Sequence, residues 1–156
     1  MALVRILVNG YGLLRCWPAL APGKPRESEV AREELINHLT QFFDATGTQI
    51  TVVFDGPGTR EDPDSDLSTA EVEVRHARAG QTADQYLERL AHKAWADGEI
   101  LLVSDHLAAS KAPPGLKGSV STCEAFVQSV NTTLADLKQE IQKINQQEKQ
   151  KFTYHG

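Results

Sequence analysis

The sequence contains few cysteines and no long apolar run, and both deficits narrow the class of protein. Its two cysteines, Cys16 and Cys123, are far apart and form no CxxC pair, so we expect neither a disulfide framework nor a thiolate zinc site. No apolar stretch approaches the roughly 18 residues of a membrane span. The first residues lead directly into an apolar run, without the layout of a secretory signal. We therefore expect a cytoplasmic protein with no membrane segment.

Positive charge is also in short supply, because the net charge is −5. Attraction to phosphate scales with the cations that a surface presents, so the chain is not a general nucleic-acid-binding surface. A local basic patch, or a metal site built from clustered acids, is compatible with this charge. With 156 residues and 40% apolar content, the chain is long enough for one domain with a core. We predict a single domain over residues 1–156.

Three short apolar runs each end in a small polar or acidic residue. They are Leu3–Val8 before Asn9, Ile50–Phe54 before Asp55, and Ile100–Val103 before Ser104-Asp105. Short continuous apolar runs are typical of strands that are buried on both faces of a parallel sheet. In open α/β sheets, ligands bind at the carboxyl ends of the strands. The sequence therefore predicts a functional edge that carries these polar residues, with Asn9-Gly10-Tyr11-Gly12 as a turn.

Apolar residues at helical spacing predict three longer helices, at about 27–45, 83–97 and 122–148. Gly47 is expected to end the first helix, and Thr82 to cap the second. Ser121 and Glu124 match a capping box, with Ser121 as the N-cap of the third.

Two further strands are shorter. Val72 and Val74 alternate with charged residues, which indicates a strand near a sheet edge, and residues 117–120 are expected to form a last strand. The order of strands and helices predicts a mostly parallel α/β sandwich, and right-handed crossovers place the strand ends on one rim.

The predicted C-terminal helix carries an apolar stripe at spacings of three and four residues. Its members are Val127, Val130, Leu134, Leu137, Ile141 and Ile144. This a/d-type pattern favours a helix that packs along the edge of its domain, and the alternative is a homodimer formed through the helix.

Four polar residues are candidates for chemistry: Asn9, Asp55, Asp84 and Asp105. Carboxylates that are brought together repel one another unless a cation joins them, and hard oxygen ligands suit Mg²⁺ or Mn²⁺. Such an ion would activate water and stabilise an in-line displacement at phosphorus. The alternative interpretation is that acids after strands only form turns and cap helices.

The same residues carry a resemblance to a known family. The matching motifs are Ile6–Gly12 with Trp17-Pro18, Val52–Gly56, Gln81–Leu90 and Val103–Asp105. In this order, between about residues 3 and 135, the chain resembles the YacP-type NYN domains of the PIN-like nuclease superfamily. The resemblance implies a PIN-like three-layer α/β/α sandwich and a metal-dependent endoribonuclease. In bacteria, relatives act on messenger RNA associated with ribosomes.

The chain departs from the family's pattern in its first motif. That motif usually reads Asp-Gly-Tyr-Asn, whereas this chain has Asn9 and Gly12, and Gln81 replaces a frequent Glu. The resemblance implies that Asn9, Asp55, Asp84 and Asp105 are the catalytic and metal-binding positions. An amide at position 9 keeps an oxygen ligand but loses a negative charge. An RNA- or ribosome-binding module that cleaves slowly or not at all is therefore an alternative, and a dimerising interaction protein is another.

Several polar or flexible positions near the predicted rim are candidates for RNA contacts. They are Gly10, Tyr11, Arg15, Arg60, Arg78, Ser104 and His106, together with Lys111 and Lys117. Tyr11 is a candidate for stacking on a base, and His106 for donating a proton or contacting phosphate. The alternative interpretation is that the basic side chains are ordinary solvated charges and that His106 has no role in the site.

Overall fold

The structure is a computed structural model that describes residues 3–55, 71–77, 80–94, 98–110 and 118–154. The predictions for Arg60, Arg78, Lys111 and Lys117 lie outside the described residues.

Five parallel strands form a central sheet. They are β1 (Leu3–Asn9), β2 (Gln49–Phe54), β3 (Val72–His76), β4 (Glu99–Val103) and β5 (Gly118–Ser121). Their spatial order is β3-β2-β1-β4-β5, and every neighbouring pair is parallel. The mostly parallel sheet and the edge position of the strand at Val72 are confirmed.

Helices cover both faces of this sheet. They are α1 (Gly10–Arg15), α2 (Glu29–Thr46), α3 (Ala83–Ala94), α4 (Asp105–Ala109) and α5 (Cys123–Tyr154). Alternate strand residues point to opposite sides, so Val8 and Val52 pack with α1, α2 and α5, whereas Leu7 and Val53 pack with α3 and α4. The three-layer α/β/α sandwich is therefore confirmed. No helix in the described part of the chain is both long and apolar enough to span a membrane.

The helix ends follow the predicted capping chemistry with three corrections. Gly47 ends α2 in the left-handed conformation at φ 75°, and the Thr82 hydroxyl accepts a hydrogen bond from the Gln85 amide at 3.1 Å. The cap of α5 is Thr122, whose hydroxyl accepts from the Ala125 amide at 3.2 Å, and not Ser121. Ser121 still belongs to β5, where its carbonyl accepts from the Ser104 amide, so the chain leaves the sheet one residue later than predicted.

The second correction concerns the segment after β1. It begins a short helix rather than a turn, because the Asn9 side chain caps α1. The last helix also continues to Tyr154, beyond the predicted end at about residue 148.

The apolar stripe of α5 divides into a packed part and an exposed part. Val127 and Val130 are buried, and Phe126 meets Phe42 of α2 with ring centroids 5.7 Å apart. Further along, Ile141 and Ile144 are 49% and 51% exposed. The first half of α5 therefore completes the domain core, and residues 138–149 are exposed throughout.

Gly10 is needed where α1 passes over the sheet. A Cβ atom at this position would lie 2.6 Å from Cδ1 and 2.9 Å from Cζ of Phe54. The Phe54 ring cannot move away easily, because it is fully buried and packs against the Tyr11 ring at a centroid distance of 4.8 Å. Only glycine lets α1 start this close to β2.

We predict that Gly10→Ala lowers the free energy of unfolding by about 1–3 kcal/mol, the usual cost of overpacking a filled core. Urea denaturation of the purified protein measures the change. Gly47→Asn is the matched control, because Gly47 has open space around its Cα and asparagine tolerates its left-handed backbone. An equal loss in both variants would contradict the role given to the Phe54 contact.

Candidate active site

At the carboxyl edge of the sheet, side chains from β1 and from the end of β4 meet one carboxylate oxygen of α3. Asp84, in the first turn of α3, accepts hydrogen bonds at Oδ1 from Asn9 Nδ2 at 3.0 Å and from Ser104 Oγ at 2.7 Å. Asn9 ends β1, and Ser104 directly follows β4. Because β1 and β4 are neighbours in the sheet, both donors reach the N-terminal end of α3. The predicted convergence of Asn9 and Asp84 is therefore present as a direct hydrogen bond.

The side-chain amide of Asn9 makes two different hydrogen bonds. Its Oδ1 accepts from the Gly12 amide at 3.0 Å and caps α1, while its Nδ2 donates to Asp84. These neighbours fix the orientation of the amide, because one side offers a donor and the other an acceptor. A carboxylate here would still cap the helix, but it would place a second negative oxygen against Asp84.

Ser104 was predicted to contact RNA, and the structure instead buries it at 1% exposure. Its hydroxyl donates to Asp84 and accepts from the Leu107 amide at 3.2 Å, which caps α4. It is a positioning residue for Asp84. The sequence signal was available, since a serine between an apolar strand and a short helix is a typical N-cap.

Asp55 and Asp105 each hold the N-terminus of a helix. Asp55 Oδ1 accepts from the Ala83 amide at 2.6 Å, and Asp105 Oδ1 accepts from the Cys123 amide at 2.9 Å. Negative charge is favourable at these helix ends, because unpaired amides and the helix dipole meet there. The sequence predicts Asp105 at the end of a strand, whereas the structure places it in the first turn of α4. The helix-capping interpretation of these acids is therefore correct for one oxygen of each.

The oxygen ligands of this rim suit a magnesium-type ion that retains water. Within the described residues, no three His, Cys, Asp or Glu side chains stand close enough together to hold a metal directly. Asp55, Asp84 and Asp105 each use Oδ1 in the hydrogen bonds given above and leave Oδ2 without one among those residues. Mg²⁺ commonly keeps several waters and binds through one or two carboxylates plus substrate phosphate. The donor set fits such a cation.

Both thiols lie beside this rim and remain protonated. Burial, followed by the negative charge of Asp105, raises the pKa of Cys123 to about 12 and raises that of Cys16 above its usual value. The thiolate is the reactive and metal-binding form of cysteine. Neither residue is therefore suited to act as a nucleophile or a zinc ligand at neutral pH.

The remaining RNA candidates fall into two groups. Gly10 and Tyr11 belong to the core: the Tyr11 ring is 7% exposed, and its hydroxyl accepts from Arg32 at 3.3 Å. The ring is therefore not presented for the predicted base stacking. Arg15, in the last turn of α1, and His106, in the first turn of α4, are exposed.

The protein is thus an all-parallel α/β/α sandwich with acidic side chains along the carboxyl rim of its sheet. The profile of the YacP-like NYN domain family matches residues 6–155, and the chain belongs to that family.

Similar proteins come from Bacillus subtilis. The chain is 33% identical over 86 residues to the uncharacterized protein YacP of strain 168, a match that covers 55% of this chain and 50% of that protein, about half its length. The crystal structure of Rae1 (YacP) superposes with a TM-score of 0.70 at 22% identity, covering 95% of this chain and 84% of that one. A point-mutant form gives 0.72 at 23% identity, with coverages of 92% and 84%. At this identity the structural likeness establishes the fold.

We predict that Asn9→Asp destabilises the protein by about 2 kcal/mol at neutral pH in the absence of divalent cations, because a charge-assisted hydrogen bond is replaced by repulsion between carboxylates. The loss should shrink as the pH is lowered, since the pair then binds a proton. It should also shrink when Mn²⁺ is added, because a cation that binds only the folded state stabilises it. Thermal unfolding with and without Mn²⁺ measures both effects.

Asn131→Asp is the control for this experiment, because Asn131 is exposed on α5, far along the chain from the rim. If both variants melt at the temperature of the original protein in chelator, the Asn9–Asp84 hydrogen bond has no energetic role.

Proposed function

We propose that this protein is a metal-dependent endoribonuclease that hydrolyses RNA phosphodiester bonds. The observation that carries the proposal is the Asp84 carboxylate, which two neighbouring strands hold in place at the carboxyl rim of the sheet. Asp55 and Asp105 stand at the same rim, and membership of the NYN family supplies the nuclease context. RNA is the substrate class that this family membership supports.

The side chains divide the work in a simple way. Asn9 and Ser104 bind one oxygen of Asp84 and leave the other for an ion or a water molecule. Asp105 would hold the cation together with Asp84, and Asp55 and Asn9 would be supporting ligands or position water; Asp105 and Asp55 are each anchored by a helix amide. A bound Mg²⁺ or Mn²⁺ would supply a more acidic water and would neutralise charge on the phosphate.

Asn9 weakens this site relative to a carboxylate at the same position. The rim carries one negative charge fewer, and the Asn9 amide already satisfies Asp84 without a cation. The affinity for a divalent ion falls with the number of charged ligands. This supports a second candidate function, an RNA- or ribosome-binding module that cleaves slowly or not at all.

We include the cellular setting in the same proposal. The substrate would be single-stranded RNA, including messenger RNA on the ribosome, which is the setting that the resemblance to YacP-type proteins implies. The activity would take place in the cytoplasm, where the two free thiols remain reduced.

Cleavage of a labelled single-stranded RNA tests the proposal. We expect Mn²⁺- or Mg²⁺-dependent cleavage that Asp84→Asn reduces by ~100-fold or more, because the cation that would stabilise the transition state loses a charged ligand. Asp136→Asn is the control, because this exposed α5 carboxylate lies outside the rim. Equal cleavage by Asp84→Asn and the control would contradict the assignment.

The Asn9→Asp variant separates the two candidate functions in the same assay. Cleavage by the original protein means that the remaining acids suffice. Cleavage by the variant alone means that the scaffold is intact and that Asn9 disarms it, which favours the binding module.

Self-association through α5 is a further candidate property, and the exposed Ile141 and Ile144 favour it. These residues continue the stripe that begins in the core, so a second copy of the same helix has matching apolar spacing. We predict a concentration-dependent dimer in sedimentation equilibrium that Ile141→Gln combined with Ile144→Gln converts to monomer. A protein that stays monomeric at high concentration would exclude this property.

A further inference from the structure

A groove of about 430 Å³ runs between α3 and the edge strand β3. It is lined by Arg75, Gln81, Tyr86, Arg89, Leu90 and Lys93, and we refer to it as the α3 groove. Half of these lining residues are cations, although the whole chain carries a net charge of −5. Positive charge is thus concentrated in a concave surface of an otherwise acidic protein, and such a surface attracts anions.

Two of the cations have no carboxylate partner among the residues that the structure describes. Arg89 and Lys93 are exposed on α3, four residues apart, and form no ion pair with any residue that the structure describes. Like charges at this spacing destabilise a helix slightly when nothing lies between them. An anion bound across the pair would remove that repulsion.

Arg75 plays a different part. Its guanidinium binds both oxygens of Glu73, at 2.8 and 3.1 Å, so its charge is largely neutralised. The same group donates from Nη1 to the Tyr86 hydroxyl at 3.2 Å. Arg75 therefore holds the Tyr86 ring in place as one wall of the groove.

The combination of groups selects the kind of anion. Tyr86 and Leu90 are half-buried and form an apolar wall, while Arg89 and Lys93 supply charge beside it. A free phosphate ion would use only the charges of Arg89 and Lys93 for binding. A strand of unpaired RNA uses both features, because its bases stack on aromatic surfaces and its phosphates bind cations.

The groove is also within reach of the acidic rim. Asp84 and the two cations share α3, and a rise of 1.5 Å per residue puts Arg89 about 7.5 Å and Lys93 about 13.5 Å beyond Asp84 along the helix axis. At about 100° per residue, the two cations also lie about 140° and 180° around the helix from Asp84, so a strand in the α3 groove would pass around the N-terminal end of α3 to reach the carboxylates.

We propose that the α3 groove binds the single-stranded RNA that flanks the cleavage site, with phosphates on Arg89 and Lys93 and a base against Tyr86. This inference rests on the proposed function for its substrate class. It assigns to the groove the affinity for RNA, which the acidic rim lacks because negative charge repels phosphate.

Arg89→Gln combined with Lys93→Gln tests the proposal, because glutamine keeps the helix propensity and removes both charges. Binding of a fluorescent oligouridylate is measured in chelator, at several salt concentrations, so that no cleavage is required. We expect the affinity to fall by about tenfold, as for two exposed contacts of roughly 0.7 kcal/mol each. The slope of log K against log salt should fall in magnitude by about 1.4, the value for two lost phosphate contacts on a single strand.

The control is Lys138→Gln combined with Lys143→Gln, which removes the same charge from exposed positions on α5. Equal RNA binding by the two double variants, or no RNA binding by the original protein, would overturn the proposal. So would groove-dependent binding of polyglutamate with unchanged binding of RNA, since the groove would then be a site for acidic protein segments.

Cleavage in Mn²⁺, measured separately, distinguishes the two proposals. Groove-dependent RNA binding without cleavage by the original protein supports the groove and rejects the nuclease. Cleavage that is identical in the original protein and the groove variant, with identical binding, rejects the groove and leaves the nuclease in place.

Discussion

One carboxylate oxygen, Asp84 Oδ1, joins the N-terminal end of α3 to the ends of two central strands of the sheet. The amide of Asn9 and the hydroxyl of Ser104 both donate to it, and they come from neighbouring central strands. Each donor also caps a helix of its own, α1 or α4. The positions of three helix ends relative to the sheet are therefore tied to a single group, and the orientation of the other Asp84 oxygen follows from that arrangement.

Asp55 and Asp105 are each fixed by the N-terminus of a helix. Ala83 and Cys123 donate their backbone amides to one oxygen of each carboxylate. Together with Asn9, this leaves an acidic edge in which one oxygen of each carboxylate is held by an internal hydrogen bond. A cation that binds there competes with few internal contacts, because it uses the oxygens that these hydrogen bonds leave over.

Much of this arrangement could be predicted from the sequence, because it depends on short patterns. The apolar runs fixed the strands, Gly47 fixed the end of α2, and the positions of the acids after strands indicated the rim. The errors arose at residues whose role depends on their position in the tertiary structure. Ser121 has the chemistry of a cap, yet it remains in the sheet beside Val103, so the cap passes to Thr122. Tyr11 follows a strand like a surface residue, yet α1 turns it into the core against Phe54.

For the same reason, local sequence patterns could not predict the contacts between the side chains of the site. Asn9 and Asp84 are separated by 75 positions, and their pairing depends on which strands become neighbours. The α3 groove likewise requires β3 to lie at the sheet edge beside α3, which brings Arg75 to Tyr86. The spacing of Arg89 and Lys93 is visible in the sequence, but the concave surface in which they lie is not.

The long helix α5 connects the rim to exposed residues that lie far from it. Residues 138–149 stand clear of the domain, and about a dozen residues at 1.5 Å each carry the helix roughly 18 Å outward. The same helix begins at Cys123, whose amide donates to Asp105. A molecule that binds the exposed end of α5 therefore contacts the helix whose first residue holds a carboxylate of the rim.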